Sequence, residues 1–142
     1  MRQHLDEELL QRIVEGAPEA IIFADREGII RLWNAGAEAI FGYEAHETLG
    51  KSLDLIIPQN LRGRHWEGYH RVMETGEARY VRWLLSVPAL RKDGSRISLE
   101  FSIVLLRDAD GAPEGVAAIM RDVTQRWKEQ KALREQLAAL KG

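Results

Sequence analysis

Residues 96–107, RISLEFSIVLLR, leave this chain few folds to choose from. Ile97, Leu99, Phe101 and Ile103 alternate with Ser98, Glu100 and Ser102, a period of two that gives a strand one buried face and one wet face. Such a strand needs partners in register and a layer over its apolar side. The sequence offers both. Residues 79–91, RYVRWLLSVPALR, are also strand-like, and Lys92-Asp93-Gly94-Ser95 between the two predicts a hairpin turn. Pro88 cannot donate to a ladder, which predicts a sheet edge or a bulge at that point. Upstream, AIIFAD (20–25) and GIIRLWN (28–34) predict a second hairpin that turns at Glu27-Gly28. Downstream, GVAAIMRDV (115–123) follows the turn Asp108-Ala109-Asp110-Gly111 as the last strand. Five strands of this kind are most economically one antiparallel sheet with short helices on one face, an α+β fold.

The helices come from the rest of the chain. Leu5, Leu9, Leu10, Ile13 and Val14 recur at helical spacing within residues 3–15, and Gly16 and Pro18 stop them. Asn34 is placed to cap a helix over 35–41 that Gly42 ends, and residues 44–52 predict a single turn ending at Gly50. Pro58 then closes an apolar run, with Asn60 as expected N-cap and Gly76 as terminator of a helix over 61–75. At 100° per residue, Leu61, His65, Tyr69, Val72 and Met73 share one arc with Trp66 at its edge. Arg64, Glu67, His70, Arg71 and Glu74 share the other, so the helix turns His65 inward. Thr124 is the expected cap of a last helix, 125–141. The domain division that follows is a flanking helix (1–16), a single folded body (17–124) and a linker helix (125–142). That last helix predicts a continuation into a further domain outside this chain.

Composition removes several classes of function. The chain has 142 residues, a net charge of −2 and no cysteine. The charge supplies no basic field for nucleic acid or anionic lipid. Without cysteine there are no disulfides, no thiolate catalysis, and no cysteine-held zinc or iron–sulfur cluster. No run approaches the roughly 18 apolar residues that span a bilayer, and the charged start MRQHLDEELLQ is not a secretion signal. A cytoplasmic protein is the expectation. Histidines 4, 46, 65 and 70 lack metalloprotease spacing, and Ser86, Ser98 and Ser102 have no partner base, so no enzyme is expected.

Several residues in order carry a family likeness. They are Asp25 with Gly28, Trp33-Asn34, Phe41-Gly42-Tyr43, Leu49-Gly50-Lys51, Pro58, Arg91-Lys92-Asp93-Gly94 and Asp122-Val123-Thr124. Together they resemble a PAS domain from about residue 10 to Thr124. The resemblance implies a sensory module that dimerises through flanking helices and signals through its exit helix to an output domain such as a histidine kinase or cyclase. It makes Asp122 and Thr124 the signalling residues at the exit. The stretch from Pro58 through Arg62-Gly63-Arg64-His65 to Lys92-Asp93-Gly94 is similar to the haem-binding oxygen-sensor PAS domains of nitrogen-fixation kinases. That likeness implies His65 as proximal iron ligand, with a basic residue matching Arg71. Where those sensors carry a distal arginine on the next strand, this sequence has Leu85.

The candidate pocket is therefore His65 and Tyr69 on the helix facing Leu85, Leu99, Phe101, Ile103 and Met120 on the sheet. The metal ligand, if haem b binds, is His65. A neutral imidazole aimed into an apolar pocket suits a five-coordinate haem. The other reading of His65 is a buried histidine with a hydrogen-bond partner. A non-covalent flavin ranks behind haem, and the covalent flavin–cysteine adduct is excluded. Two functions stay open: a sensor that binds a small ligand or cofactor, and a ligand-free PAS scaffold for protein–protein dimerisation. A homodimer is expected in both, through the stripe Leu5, Leu9 and Ile13. Leu133, Leu137 and Leu140 on the last helix either assist or fold back on the domain.

Overall fold

In the computed structural model, which describes residues 6–77 and 85–141, helix α1 (Glu7–Gly16) leads into strands β1 (Ala20–Asp25) and β2 (Ile30–Trp33). Helices α2 (Ala35–Phe41) and α3 (Ala45–Thr48) follow, then two 3-10 turns (Leu53–Ile56 and Gln59–Leu61) and α4 (Arg62–Thr75). Strands β3 (Leu85–Leu90), β4 (Arg96–Arg107) and β5 (Pro113–Asp122) complete the sheet before α5 (Thr124–Lys141). The five strands form one antiparallel sheet in the order β2-β1-β5-β4-β3.

The alternation in β4 has the expected sense, and it is strongest at one end. Ile97 and Leu99 are buried, while Phe101 and Ile103 are half-buried. Past Phe101 the strand runs beyond the last β3 partner, Leu85 opposite Phe101, so it is paired from there on one side only among the described residues. Across the inner face, Phe101 pairs with Met120 and Met120 with Ala20, and Ile103 pairs with Ala118 and Ala118 with Ile22. This face carries the core, in which Ile22, Ile30, Trp33, Phe41, Leu53, Ile56, Tyr69 and Leu99 cluster. Pro88 lies on the edge strand β3, where a missing donor leaves no ladder bond unmade. Of the stretch expected to form that strand, 79–84 lies outside the described residues, as do His4 and Leu5.

Asn34 does more than cap α2. Its Oδ1 accepts from Ala37 N (3.0 Å) and from Ile21 N (2.8 Å), and its Nδ2 donates to Val14 O (2.7 Å) and Glu19 O (3.1 Å). One buried amide thus joins α1, β1 and α2 with all its hydrogen-bonding capacity used.

Two helix starts differ from expectation. α4 begins at Arg62, not after an Asn60 cap. Buried Pro58 starts a 3-10 turn that takes in Asn60, whose side chain instead accepts from Arg96 Nη2. Arg62 ties the start of α4 to the turn before it by donating to Ile57 O and Asp54 O, each at 3.1 Å. Thr124 is the first residue of α5 and not its cap. Its hydroxyl oxygen is committed to the Ser98 amide of β4 at 2.9 Å, and Asp122 Oδ1 accepts from Thr124 N, also at 2.9 Å. Among the described residues no helix is long and apolar enough to cross a membrane.

Candidate ligand site on the inner face of α4

The arc of α4 turned toward the sheet is the expected one. Tyr69 is buried, Leu61, His65, Val72 and Met73 are half-buried, and Arg64, Glu67, His70, Arg71 and Glu74 are exposed. Trp66 is half-buried at the edge of this arc, its ring between those of His65 and exposed His70. Its indole N–H donates to Asp54 Oδ1 at 2.7 Å, and its ring covers the β1–β2 turn. Gly28 is required there twice over: its φ is 79°, and an added Cβ would come within 2.1 Å of the Trp66 ring.

His65 stands between these aromatic rings, 4.6 Å from that of Trp66 and 5.8 Å from that of Tyr69. Its Nδ1 is buried and has no hydrogen-bond partner among the described residues. Burial pushes the imidazole below the usual histidine range, against the pull of the Asp54 carboxylate in the other direction. The ring is therefore neutral near pH 7. The Tyr69 hydroxyl is occupied: it donates to the main-chain carbonyl of Asp25 at 2.6 Å, with Ala24 O at 3.1 Å. Burial, helped by the carboxylates of Asp25 and Glu27, holds that phenol well above its ordinary range, so it is a fixed donor and not an acid–base group.

The remaining sequence-predicted positions fall as follows. Tyr69 and Leu99 belong to the core cluster, and Met120 packs against it. Phe101 and Ile103 are half-buried on the inner face by register. Leu85 opens β3 opposite Phe101, and its side chain lies outside the described residues. Asp122 and Thr124 sit at the far end of the sheet, where α5 leaves it. Arg71 is on the polar face, paired with Glu67 at 3.9 Å. His46 is exposed beside Glu44.

Sequence reasoning overlooked Asp54 and the contact of Trp66 with Gly28. Nothing local signals either, because the partners are 12 and 38 residues away along the chain. Two surface hollows stand out among the described residues. One lies at Phe41, Gly42, Arg91, Lys92 and Asp93, the other at Glu100, Val123, Arg126, Trp127, Gln130 and Arg134. His65 lines neither.

Comparison with known proteins follows the same outline. The sequence profile of the family described as the PAS fold matches residues 14–128. Sensor protein FixL of Bradyrhizobium diazoefficiens is 28% identical over 126 residues, covering 89% of this chain and 25% of that protein. Oxygen sensor protein DosP of Escherichia coli is 28% identical over 111 residues, covering 78% of this chain and 14% of that protein. This chain thus spans a quarter or less of either relative. The PAS domain of a protein from Colwellia psychrerythraea has the same fold, with a TM-score of 0.72 at 21% identity over 83% of this chain and 97% of that one.

Proposed function

Because the chain belongs to the PAS family, whose sequence profile spans its body, we propose that it senses a small ligand or cofactor between α4 and the sheet and signals through α5. The output is a domain outside these residues, of the histidine-kinase or cyclase kind, and the setting is the cytoplasm. The sensory role is that of a PAS domain related to sensor proteins, and catalysis is left to the output domain. Asp122 and Thr124 tie β5, β4 and the start of α5 together and are the signalling residues.

The observation that carries the ligand reading is the buried Nδ1 of His65, which has no partner among the described residues. Native proteins rarely leave such an atom unmet without a reason. A neutral imidazole on the inner arc of a helix is one of the donors that hold haem iron, and His65 would supply it here. Tyr69, Leu99, Phe101, Ile103 and Met120, with Leu85 by register, are the apolar groups that would exclude water around it. Bound haem would supply a coordination position for a diatomic gas. These side chains offer that gas no charged hydrogen-bond donor. We expect carbon monoxide to be favoured over oxygen more than in sensors with an arginine at the Leu85 position.

The test adds ferric haem to the purified protein and to His65→Ala. A sharp Soret band in the native protein that is lost in the variant is the expected result. A band that survives assigns the iron to another residue. No band in either protein leaves His65 as a buried histidine, and flavin mononucleotide, followed by quenching of its fluorescence, is the next ligand to try.

A further inference from the structure

Helix α4 is tied down at its start, its middle and its end. Arg62 anchors its start, the Tyr69 hydroxyl fixes its middle to the end of β1, and Arg107 holds its end. The last of these is the least expected. Arg107 is the final residue of β4, and its Nη2 donates to Gly76 O at 2.6 Å while Nη1 donates to Gly111 O at 3.0 Å. Gly76 is the left-handed C-cap of α4, with φ 73°. A Cβ on it would stand 3.0 Å from Arg107 Nη1, so the helix end sits directly on the guanidinium.

The other end of the same strand grips the exit helix. Ser98 N–H donates to Thr124 Oγ1 at 2.9 Å, Ser98 O accepts from Val123 N at 2.8 Å, and Glu100 forms an ion pair with Arg126. From Ser98 to Leu106 the strand is paired to β3, to β5 or to both, and a bulge in the β4–β5 ladder separates Leu106 from Arg107, which pairs with Pro113. A strand held in a ladder transmits displacement along its axis, because stretching or sliding it breaks main-chain hydrogen bonds.

We propose that Arg107 is a positioning residue for signalling: it passes a shift of the C-terminal end of α4 along β4 to the first turn of α5. This rests on the reading of α5 as the signalling exit and not on the identity of the ligand. Arg26 supplies the control. Its guanidinium donates to Pro113 O at 2.9 and 2.6 Å and pairs with Asp108 at 3.6 Å, so it braces the β1–β2 turn against the same β4–β5 hairpin but makes no hydrogen bond to α4.

Amide hydrogen exchange on the whole chain tests the proposal without any cofactor. In Arg107→Gln, exchange should rise about fivefold or more at Gly76 and also at Ser98, Val123 and Trp127. Arg107→Lys, which keeps the charge but loses the fork, should fall between that variant and the native protein. Arg26→Ala should leave all four amides as they were. Coupling of this kind is reciprocal, so Thr124→Val should accelerate exchange at Gly76. A rise confined to Gly76 and the β4–β5 hairpin overturns the proposal. So does a uniform rise that includes the β1–β2 pair, which is general loss of stability. So does an unchanged Gly76 in Thr124→Val. Failure here leaves the haem titration untouched, and a missing Soret band leaves these amides to be read as before.

Discussion

A buried ring nitrogen without a partner lowers stability, and at His65 the effect depends on pH. Burial holds the imidazole below its usual range in the folded chain, so the unfolded chain binds the proton more readily. The sign follows. Stability is complete above the unfolded histidine value of about 6.5 and is lost as pH falls from there toward the lower folded-state pKa. His65→Gln removes this contribution. Urea-unfolding free energies taken from about pH 7.5 to about pH 5 should fall more steeply in the native protein than in the variant. Parallel curves would mean that the imidazole gains its proton as easily folded as unfolded. Asn34 supplies the second prediction at this scale. Asn34→Ala removes the cap of α2 and leaves the half-buried Ile21 amide and two carbonyls without their partner. A loss of about 2–4 kcal/mol in urea unfolding is expected, against a few tenths for an ordinary surface change. A loss under about 1 kcal/mol would mean that water replaces the amide.

Among the elements, α1 gains little stabilisation from the rest of the described residues. It meets the body through Val14 O on Asn34, yet Leu9, Leu10 and Ile13 are exposed and none of its residues is buried. Ten residues are too few for a lone helix to be stable in water. On the outer face of the sheet, Val104, Leu106 and Ile119 are exposed as well. A second copy of this chain is the occupant expected to cover α1. Light scattering at micromolar concentration should give twice the chain mass, and Leu9→Asp should halve it. A native protein that is already monomeric would refute the dimer. The exit helix contrasts with α1. Its start is fixed to β4 and β5 by Thr124, Asp122 and Arg126, while Leu133, Leu137 and Leu140 further along are exposed.

Taken as a whole molecule, the body was legible wherever a residue's neighbours along the chain decide its conformation. The alternation from Ile97 to Ile103 specified a strand and its inner face. Gly28 and Gly76 marked a turn and a helix end because side chains disfavour positive φ. Pro88 marked an edge because it has no amide to donate, and the arc of α4 followed from its period. Even His65 could be turned inward on those grounds. What could not be read were the bonds that position the site. Arg107 meets Gly76 across 31 residues, Tyr69 meets Asp25 across 44, and Thr124 gives up its capping role for Ser98 across 26. A side chain that caps a helix locally and one that bonds a distant strand look the same in sequence, since both are polar groups beside an element end. Periodicity and backbone preference are properties of a segment, and the amino-acid order determined them. Which carbonyl a guanidinium, phenol or hydroxyl reaches depends on how the segments pack, and only the tertiary structure decided that.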